Sequence, residues 1–382
     1  MAVTPIYDVV IAGGGLAGLI AAISLSRSQH SVLLLEKKDY PFHKVCGEYV
    51  SNEVLNYLQS LGFDPFAYGA SAISKLRVST PQGKNYHVPL GLGGFGISRY
   101  TMDDALHKLA LASGAAVKTQ TRVSNIRLEN NLFKIDTFEG GQFMAKIVIA
   151  AHGKRDMLDK KLERGFINRH TGYMGVKYHI KTDYPANEIG LDNFRNGYCG
   201  ITRIEQDIYN LCYLYKKSPA ISFKSIPELE AAVLHKNPVL KSIFHNSDFL
   251  SGKPEVINEI CFDRKEPVKD NILMCGDSAG LITPLCGNGM AMAITAGKEL
   301  SGLIAESGLC RKDVITTADR TQLAQRYSAA WSSLFSRRLF WGRVIQKSFG
   351  NPLVTGLFIG AAYHSPFKNW LIRQTHGKPV TT

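Results

Sequence analysis

A glycine-rich segment near the N-terminus, Gly13-Gly-Gly15-Leu-Ala-Gly18, restricts the fold of this chain more than any other feature. It follows an apolar run at residues 6–12 and precedes a run of small residues at 16–28, so we expect a strand, a tight turn and a helix in that order. A second apolar strand is expected at 31–35. Because a helix joining two parallel strands has this order, the segment predicts a βαβ unit in a doubly wound α/β domain.

Each of these glycines has a role in such a unit. Gly13 permits the tight turn, Gly15 lets a pyrophosphate group approach the backbone, and Gly18 lets the helix pack closely on the strand. Glu36 stands at the end of the second strand, where its carboxylate can accept hydrogen bonds from an adenosine ribose. The pattern predicts a dinucleotide site and leaves NAD and FAD as alternatives.

A second glycine-rich region favours FAD. Cys275-Gly-Asp277-Ser-Ala-Gly280 follows a strand expected at 272–275, and its aspartate can hold the ribityl and pyrophosphate part of a flavin. Pro284-Leu-Cys-Gly287-Asn-Gly289 precedes a helix expected at 288–307, whose N-terminus would stabilise the negative charge of a reduced flavin. Two separate glycine-rich helix starts fit one long cofactor with two ends. The predicted cofactor contacts here are Asp277, Gly287, Asn288, Gly289 and Met290.

With these motifs the chain resembles flavoproteins of the p-hydroxybenzoate hydroxylase fold. Ser98-Arg-Tyr-Thr-Met-Asp103-Asp-Ala-Leu106 matches the segment in which that family's arginine contacts FAD, so Arg99 is a predicted FAD ligand. We expect the helix of this segment at 102–113, with Thr101 as its N-cap. Val123 is a further residue that the resemblance places at the cofactor. The resemblance implies an α/β fold in which a Rossmann-like FAD-binding domain carries an inserted antiparallel-sheet substrate domain and a helical C-terminal tail.

Within that group the chain looks most like the geranylgeranyl reductases. Lys44-Val-Cys46-Gly47-Glu48 matches their K-x-C-G-E stretch, and Gly280 stands where aromatic hydroxylases usually have a histidine. The resemblance implies reduction of a carbon-carbon double bond in a hydrophobic isoprenoid, lipid or polyketide, by a flavin that NADPH or NADH has reduced. Since this reaction needs a proton donor as well as a hydride, Cys46 and Glu48 are the predicted catalytic residues.

Two segments depart from the family patterns. Ile149-Ala-Ala151-His152-Gly153 takes the place of an Ala-Asp-Gly segment, and a histidine cannot play the aspartate's role in docking NADPH. Lys154 and Arg155, which follow, could bind an anionic phosphate instead. The aromatic Tyr-x-Trp-x-Phe-Pro segment of the reductases is also missing, and Gly197-Tyr-Cys-Gly-Ile201 occupies its expected position.

Other functions therefore stay open. An FAD monooxygenase would use the same site to form a flavin hydroperoxide and oxygenate its substrate. A non-catalytic flavin-binding protein would use its C-terminal tail to dock on a membrane or carrier. Halogenation is disfavoured because the paired-tryptophan motif of flavin-dependent halogenases is missing, and Trp331, Trp341 and Trp370 all lie near the C-terminus.

Positive charge is concentrated in that tail. The chain of 382 residues has a formal net charge of +13, and residues 311–382 contain eleven Lys or Arg against two Asp. We expect an amphipathic helix at 322–349, followed by an apolar stretch at 352–363 that is too short to span a bilayer. The tail predicts contact with a phosphate- or carrier-linked substrate, or peripheral contact with a membrane. Nucleic acid is not an expected partner, because no nucleic-acid-binding motif accompanies the charge.

The order of the motifs predicts a discontinuous domain organisation. The expected parts are the FAD-binding domain at 1–72, 98–170 and 258–310, the sheet-based substrate domain at 73–97 and 171–257, and the basic helical region at 311–382. Seven cysteines without a Cys-x-x-Cys pair indicate neither a disulfide framework nor a cysteine-based metal site. This cysteine usage favours a cytoplasmic protein, and no metal is expected.

Overall fold

The computed structural model describes residues 5–218, 222–283, 287–348, 377 and 379–380. Residues 284–286 of the second glycine-rich region, the apolar stretch at 352–363 and Trp370 lie outside the described residues. The described chain has the α/β fold expected from the sequence, with two sheets and the helices that pack on them.

The strands of the two sheets alternate along the chain with helices and loops. They are β1 (Ile6–Ala12), β2 (Val32–Leu35), β3 (Tyr49–Ser51), β4 (Ser71–Ser79), β5 (Asn85–Gly96), β6 (Ala116–Lys118), β7 (Val123–Glu129), β8 (Leu132–Thr137), β9 (Gln142–Ala150), β10 (Tyr173–Lys181), β11 (Glu188–Phe194), β12 (Gly197–Arg203), β13 (Tyr209–Lys216), β14 (Asp248–Phe249), β15 (Glu255–Asn258), β16 (Val268–Lys269) and β17 (Ile272–Met274).

The α-helices lie between and after these strands. They are α1 (Leu16–Arg27), α2 (Leu55–Ser60), α3 (Arg99–Ala112), α4 (Met157–Lys161), α5 (Ile226–Ala232), α6 (Pro238–His245), α7 (Gly289–Ser307) and α8 (Thr317–Ser348).

The first sheet contains the βαβ unit predicted from the glycine segment. Its strand order is β16-β17-β9-β1-β2-β6, and β7 and β8 extend it from β9 as an antiparallel meander. The central strand β1 pairs in parallel with β2 and β9, and every residue of β2 is buried. Burial on both faces is typical of parallel sheets, whose strands end together at one edge.

Helices α1 and α7 pack closely against each other. A Cβ atom on Gly297 of α7 would lie 2.7 Å from the carbonyl oxygen of Ala17 in α1. Small residues at the crossing let the two backbones approach, which brings the N-termini of both helices to the same region of the molecule. The two glycine-rich helix starts recognised in the sequence are therefore neighbours in space.

The second sheet is mostly antiparallel and has the order β14-β10-β13-β12-β11-β4-β5-β3, with β15 also paired to β10. The alternating segments expected near 75–80 and 210–215 become β4 and β13 of this sheet, while β11 and β4 pair in parallel. Residues from two distant parts of the chain thus form one sheet. The exact domain boundaries stay a prediction.

The predicted start of the helix at 102–113 was wrong. Helix α3 begins at Arg99, because the Ser98 hydroxyl accepts a hydrogen bond from the Thr101 amide at 3.0 Å and is the N-cap. Thr101 instead lies within the first turn.

Helix α8 covers the edge of the first sheet with one face. Leu323, Tyr327, Trp331 and Phe335 are buried along it, and the Tyr327 hydroxyl donates to the Met274 carbonyl at 2.6 Å. A Cβ on Gly280 would lie 3.2 Å from the Trp331 ring, so a larger residue there would press on this helix. Among the described residues, no helix is long and apolar enough to cross a membrane.

Candidate active site

A long cavity of about 700 Å³ lies between the two sheets. Its walls come from the turn after β1, from the loops after β2, β9 and β17, and from one face of the second sheet. The first sheet thus contributes the carboxyl ends of its parallel strands, which is where cofactors bind in such folds.

At the first helix start, close backbone contacts leave room only for glycine at two positions. Gly13 has a φ of +110°, and a Cβ there would lie 2.5 Å from the Ala151 carbonyl oxygen. A Cβ on Gly18 would collide with the Gly13 carbonyl oxygen. Gly15 differs, because the nearest atoms to a Cβ there are side-chain nitrogens 3.8 Å away. The backbone at Gly15 is therefore open to a ligand.

Those nitrogens belong to Arg99 and Lys44, two cations above the open backbone. Both bind Asp103, at 2.7 Å from Arg99 Nη2 and 2.9 Å from Lys44 Nζ. Burial alone would raise the pKa of Asp103, but Arg99 and Lys44 outweigh it and lower that pKa. Arg99 and Lys44 thus place two cations beside the N-terminus of α1, an arrangement that suits a pyrophosphate.

Glu36 lies where the sequence predicted, on the cavity wall after β2, and is almost completely buried. Its carboxylate accepts hydrogen bonds from the Gly14 amide at 2.8 Å and the Lys38 amide at 3.1 Å. Val123 begins β7 and lines the same end of the cavity. The structure therefore gives Glu36 a second task, since it holds the glycine turn in place.

The other predicted cofactor residues line the cavity at the turn after β17 and at the start of α7. Asp277 lines the cavity after β17, and its carboxylate has no hydrogen-bond partner among the described residues. Gly287 has a φ of +62° beside the Tyr49 ring, and Asn288 is the fully buried N-cap residue of α7. Gly289 and Met290 complete this wall. All the predicted cofactor residues except the tightly packed Gly18 line one continuous cavity; their contacts with FAD stay a prediction.

Glu48 lies in the middle of this arrangement and is completely buried. Its Oε1 is 2.6 Å from Lys177 Nζ and accepts from the Arg99 amide at 2.8 Å, while its Oε2 lies 2.8 Å from His179 Nε2. Both partners project from β10, two residues apart on one face of the second sheet. Glu48 thus joins that sheet to the N-terminus of α3.

This environment does not suit Glu48 as a proton donor. Burial would raise the pKa of Glu48, but the Lys177 charge and the His179 hydrogen bond outweigh burial and lower that pKa. The carboxyl group is therefore ionised at neutral pH and has no proton to give. Glu48 fits a role in positioning its loop, and Cys46 is the better candidate for the proton donor.

Cys46 is half-buried and lines the cavity beside Glu48. Three consecutive carbonyl groups of its loop each accept a hydrogen bond from a side chain that is distant in sequence. These bonds are Lys177 Nζ to Lys44 O at 3.2 Å, Lys154 Nζ to Val45 O at 3.2 Å, and Asn210 Nδ2 to Cys46 O at 3.1 Å. No local sequence pattern singles out Lys177, His179 or Asn210, because each lies more than a hundred residues from the loop that it contacts.

The cations that follow β9 also reach the cavity wall. His152 Nε2 lies 3.0 Å from Asp159, whereas its buried Nδ1 has no partner among the described residues. Arg155 donates to the Ile167 carbonyl, and its buried Nη1 likewise has no described partner. Among the described residues, neither Lys154 nor Arg155 forms an ion pair, so positive charge remains available here.

Lys265 is a buried residue that the sequence did not single out. Its Nζ donates to the Lys154 carbonyl at 2.9 Å and the Asp277 carbonyl at 2.8 Å, and lies 4.3 Å from the centre of the Phe166 ring. It thereby ties together the loops after β9 and β17. Burial lowers the pKa of Lys265 from 10.5 to about 8.

This shift predicts a measurable pH dependence of stability. The unfolded chain keeps the Lys265 proton up to about pH 10.5, whereas the folded chain releases it near pH 8. The free energy of unfolding contributed by this group therefore rises over that interval, by about 3 kcal/mol. Urea unfolding at pH 7.5 and pH 10 should show the wild-type protein gaining stability relative to Lys265→Met. A constant difference between the two proteins would contradict the prediction.

The wall opposite the cofactor residues is apolar and belongs to the second sheet. The registers of β4, β5, β11 and β12 put alternate residues on the cavity side, and glycine at position 200 leaves that wall open. The apolar side chains of this wall are Leu76, Val78, Val88, Leu90, Ile189, Leu191 and Leu214. No group of three or more potential metal ligands occurs within the described part of the chain.

Comparison with known proteins agrees with this geometry. The FAD binding domain family matches residues 8–43, which cover most of β1, all of α1 and β2, and Glu36. Digeranylgeranylglycerophospholipid reductase 1 of Methanopyrus kandleri is 26% identical over 352 residues, spanning 86% of this chain and 87% of the relative. Conditioned medium factor receptor 1 of Dictyostelium discoideum is 22% identical over 365 residues, spanning 86% of this chain and 68% of the relative.

Solved structures share the whole architecture. The flavin-dependent brominase Bmp2 has a TM-score of 0.79 at 20% identity and covers 97% of this chain and 93% of its own. A geranylgeranyl bacteriochlorophyll reductase-like protein of Thermoplasma acidophilum has a TM-score of 0.74 at 19% identity, with 91% and 88% covered. At these identities the likeness shows the fold. Together, the FAD family match, the reductase relatives and the fold show an FAD-dependent oxidoreductase that resembles the geranylgeranyl reductases.

Proposed function

We propose that this FAD-dependent oxidoreductase reduces a carbon-carbon double bond in an apolar isoprenoid or lipid substrate, with NADPH or NADH as reductant. The observation that carries the proposal is the continuity of one cavity. Its apolar sheet wall runs directly to the loop that holds Cys46, opposite the predicted cofactor residues. The digeranylgeranylglycerophospholipid reductases among the relatives support the reaction class.

The residues present fit FAD. The open backbone at Gly15 under Arg99 and Lys44 suits the pyrophosphate. The Asp277 carboxylate, which has no hydrogen-bond partner in the described part of the chain, suits the ribityl hydroxyl groups. The N-terminus of α7, at Gly289, lies where it can stabilise negative charge on a flavin ring. When bound, FAD supplies hydride transfer.

The chain's own contribution is to orient the substrate and supply a proton. The leucine, isoleucine and valine side chains of the sheet wall exclude water and hold the hydrocarbon part. Cys46, whose loop is fixed by three donors, is the candidate that gives a proton to the carbon opposite the hydride. Glu48, Lys177 and His179 position that loop.

An anionic head group on the substrate would explain the unpaired cations of the site. Lys154 and Arg155 have no acidic partner among the described residues and lie at the same cavity, so a phosphate can bind beside the apolar wall. The basic face of α8, with Arg337 and Phe340 exposed, would bring the protein to an anionic membrane or carrier that presents such a substrate. Arg338 takes no part in this surface, because it is buried in an ion pair with Glu53 at 2.9 Å.

The test is anaerobic turnover with a geranylgeranyl-bearing phospholipid. We expect NADPH or NADH to bleach the bound FAD and the product to gain two hydrogens per reduced double bond, detected by mass spectrometry. Leu191→Asn should lower kcat/KM roughly tenfold or more, because it puts a polar group into the apolar wall of the cavity. The exposed Leu92→Asn of β5 is the matched control and should leave kcat/KM nearly unchanged.

Other outcomes separate the alternative functions. Product that forms only in air and contains an added oxygen atom would establish a monooxygenase instead of a reductase. A flavin that neither nicotinamide reduces, with or without lipid, would support a non-catalytic flavin-binding protein. Either result overturns the proposed reduction.

A further inference from the structure

Two cysteines differ from the other described cysteines in their exposure. Cys46 and Cys212 are partly accessible, whereas the other four described cysteines are buried. Both line the same cavity, although 166 positions separate them in the sequence. Cys212 faces that cavity from strand β13, which lies in the interior of the second sheet.

The contacts of the Cys46 loop place it against the face of the second sheet that carries Cys212. On β10 and β13 the opposed pairs Gly175 with Leu214, Lys177 with Cys212, and His179 with Asn210 form three successive rows on one face. Such rows are about 7 Å apart. The loop contacts all three rows: a Cβ on Gly175 would lie 3.2 Å from the Val45 side chain, Lys177 binds the Lys44 carbonyl, and Asn210 binds the Cys46 carbonyl.

Cys212 belongs to the middle row, so the loop that carries Cys46 crosses above it. No side chain intervenes from Gly175 or from Gly200, which is the neighbour of Cys212 on β12. The pKa of Cys212 is raised to about 12. Burial is the larger cause, and the nearby charge of Cys46 adds to it, in agreement with this proximity.

We propose that Cys46 and Cys212 are a redox-active dithiol, which hydrogen peroxide converts to a disulfide that ties the loop at 44–48 to strand β13. The Cys46 thiolate attacks one peroxide oxygen, the O–O bond breaks, and a sulfenic acid and hydroxide result. The Cys212 sulfur then attacks the Cys46 sulfur, the S–OH bond breaks, and the Cys212 proton leaves with the hydroxide as water. Two thiols are oxidised and one peroxide is reduced to two waters.

The order of events follows from accessibility. Cys46 faces the cavity from a loop, so peroxide reaches it first. Cys212, on the sheet beneath the loop, then attacks the sulfenic acid. Because a thiol must lose its proton to attack, the raised pKa of Cys212 makes the second step faster at higher pH.

The disulfide would also switch the proposed reaction off. It removes the thiol proton of Cys46 and fixes that residue against the sheet. This consequence rests on the proposed function, whereas formation of the bond does not.

The experiment oxidises the FAD-loaded protein with hydrogen peroxide at pH 7 and pH 9, blocks free thiols and maps disulfides by peptide mass spectrometry. We expect a Cys46–Cys212 cross-linked peptide that forms faster at pH 9 and disappears with dithiothreitol. Cys46→Ser and Cys212→Ser should each abolish it, and Cys310→Ser, a buried cysteine outside the cavity, should retain it. The reduced protein should also bind phenylarsine oxide one to one, and either cavity variant should lose this binding.

Failure of this proposal is distinct from failure of the proposed function. A Cys46 that is oxidised to sulfinic acid without a cross-link, or that pairs with another cysteine such as Cys286, would overturn the dithiol. A cross-link that forms while lipid reduction continues at an unchanged rate would overturn the switch. A cross-link in a protein with no reductase activity would confirm the dithiol and refute the function.

Discussion

Gly18→Ala is expected to give a protein that retains no FAD. The added Cβ would collide with the Gly13 carbonyl oxygen, a backbone atom that cannot rotate away. Relief requires α1 to separate from β1, and this movement opens the turn at Gly15 where the pyrophosphate is expected to bind. Overpacking of this kind costs about 1–3 kcal/mol or more. Flavin absorbance of the purified protein, and its recovery on adding excess FAD, measure the effect.

Gly302→Ala is the matched control for this prediction. Gly302 lies within α7, and a Cβ there would meet nothing within 4 Å. Alanine in a helix interior is favoured over glycine by about 0.5–1 kcal/mol, so this variant should bind FAD normally and unfold at a slightly higher temperature. Retention of FAD by Gly18→Ala at the level of Gly302→Ala would show that close packing at Gly18 is not required.

The predicted cofactor residues can be recognised in the sequence because their signals are local. Gly13, Gly15 and Gly18 are required by the conformation and close contacts of a single turn and the helix that follows it. The burial of β1 and β2 follows from their apolar runs. Asp277 could likewise be recognised, since the carboxyl ends of parallel strands meet at one edge of a sheet.

The substrate half depends on contacts that no local pattern encodes. Lys177 and His179 belong to an otherwise ordinary alternating strand, and their tasks are visible only once β10 lies against the loop at 44–48. The same holds for Lys265, whose partners are carbonyl groups of two other loops. The role of Glu48 depends on contacts of the same kind, because Lys177 and His179, which lower its pKa, are more than a hundred residues away in the sequence.

Glu48→Gln is expected to destabilise the protein by about 3–5 kcal/mol, because it leaves the buried Lys177 ammonium without its counter-charge. The loop that carries Cys46 should also lose its fixed position, so kcat should fall while the FAD spectrum of the surviving folded protein persists. Urea unfolding measures the stability, and single-turnover reduction of the lipid measures the chemistry. An unchanged midpoint of unfolding would contradict a buried, ionised pair.

The double variant Glu48→Gln/Lys177→Met separates stability from positioning. Removing both charges should recover much of the lost stability, since replacement of a buried ion pair by apolar groups is often neutral. Turnover should stay low, because His179 and the Lys44 carbonyl then lose their partners as well. Recovery of both stability and kcat would refute the positioning role.

At acidic pH the difference in unfolding free energy between the wild-type protein and Glu48→Gln should disappear. The folded pKa of Glu48 is lowered below its ordinary value of 4.5, so the ionised carboxylate contributes its full stability above about pH 4.5. That contribution disappears as the pH falls through the lowered folded pKa. The two unfolding free energies should therefore converge below pH 4.5 and stay apart at pH 7. Convergence already at neutral pH would show that Glu48 is protonated in the folded protein, and would restore it as a candidate proton donor.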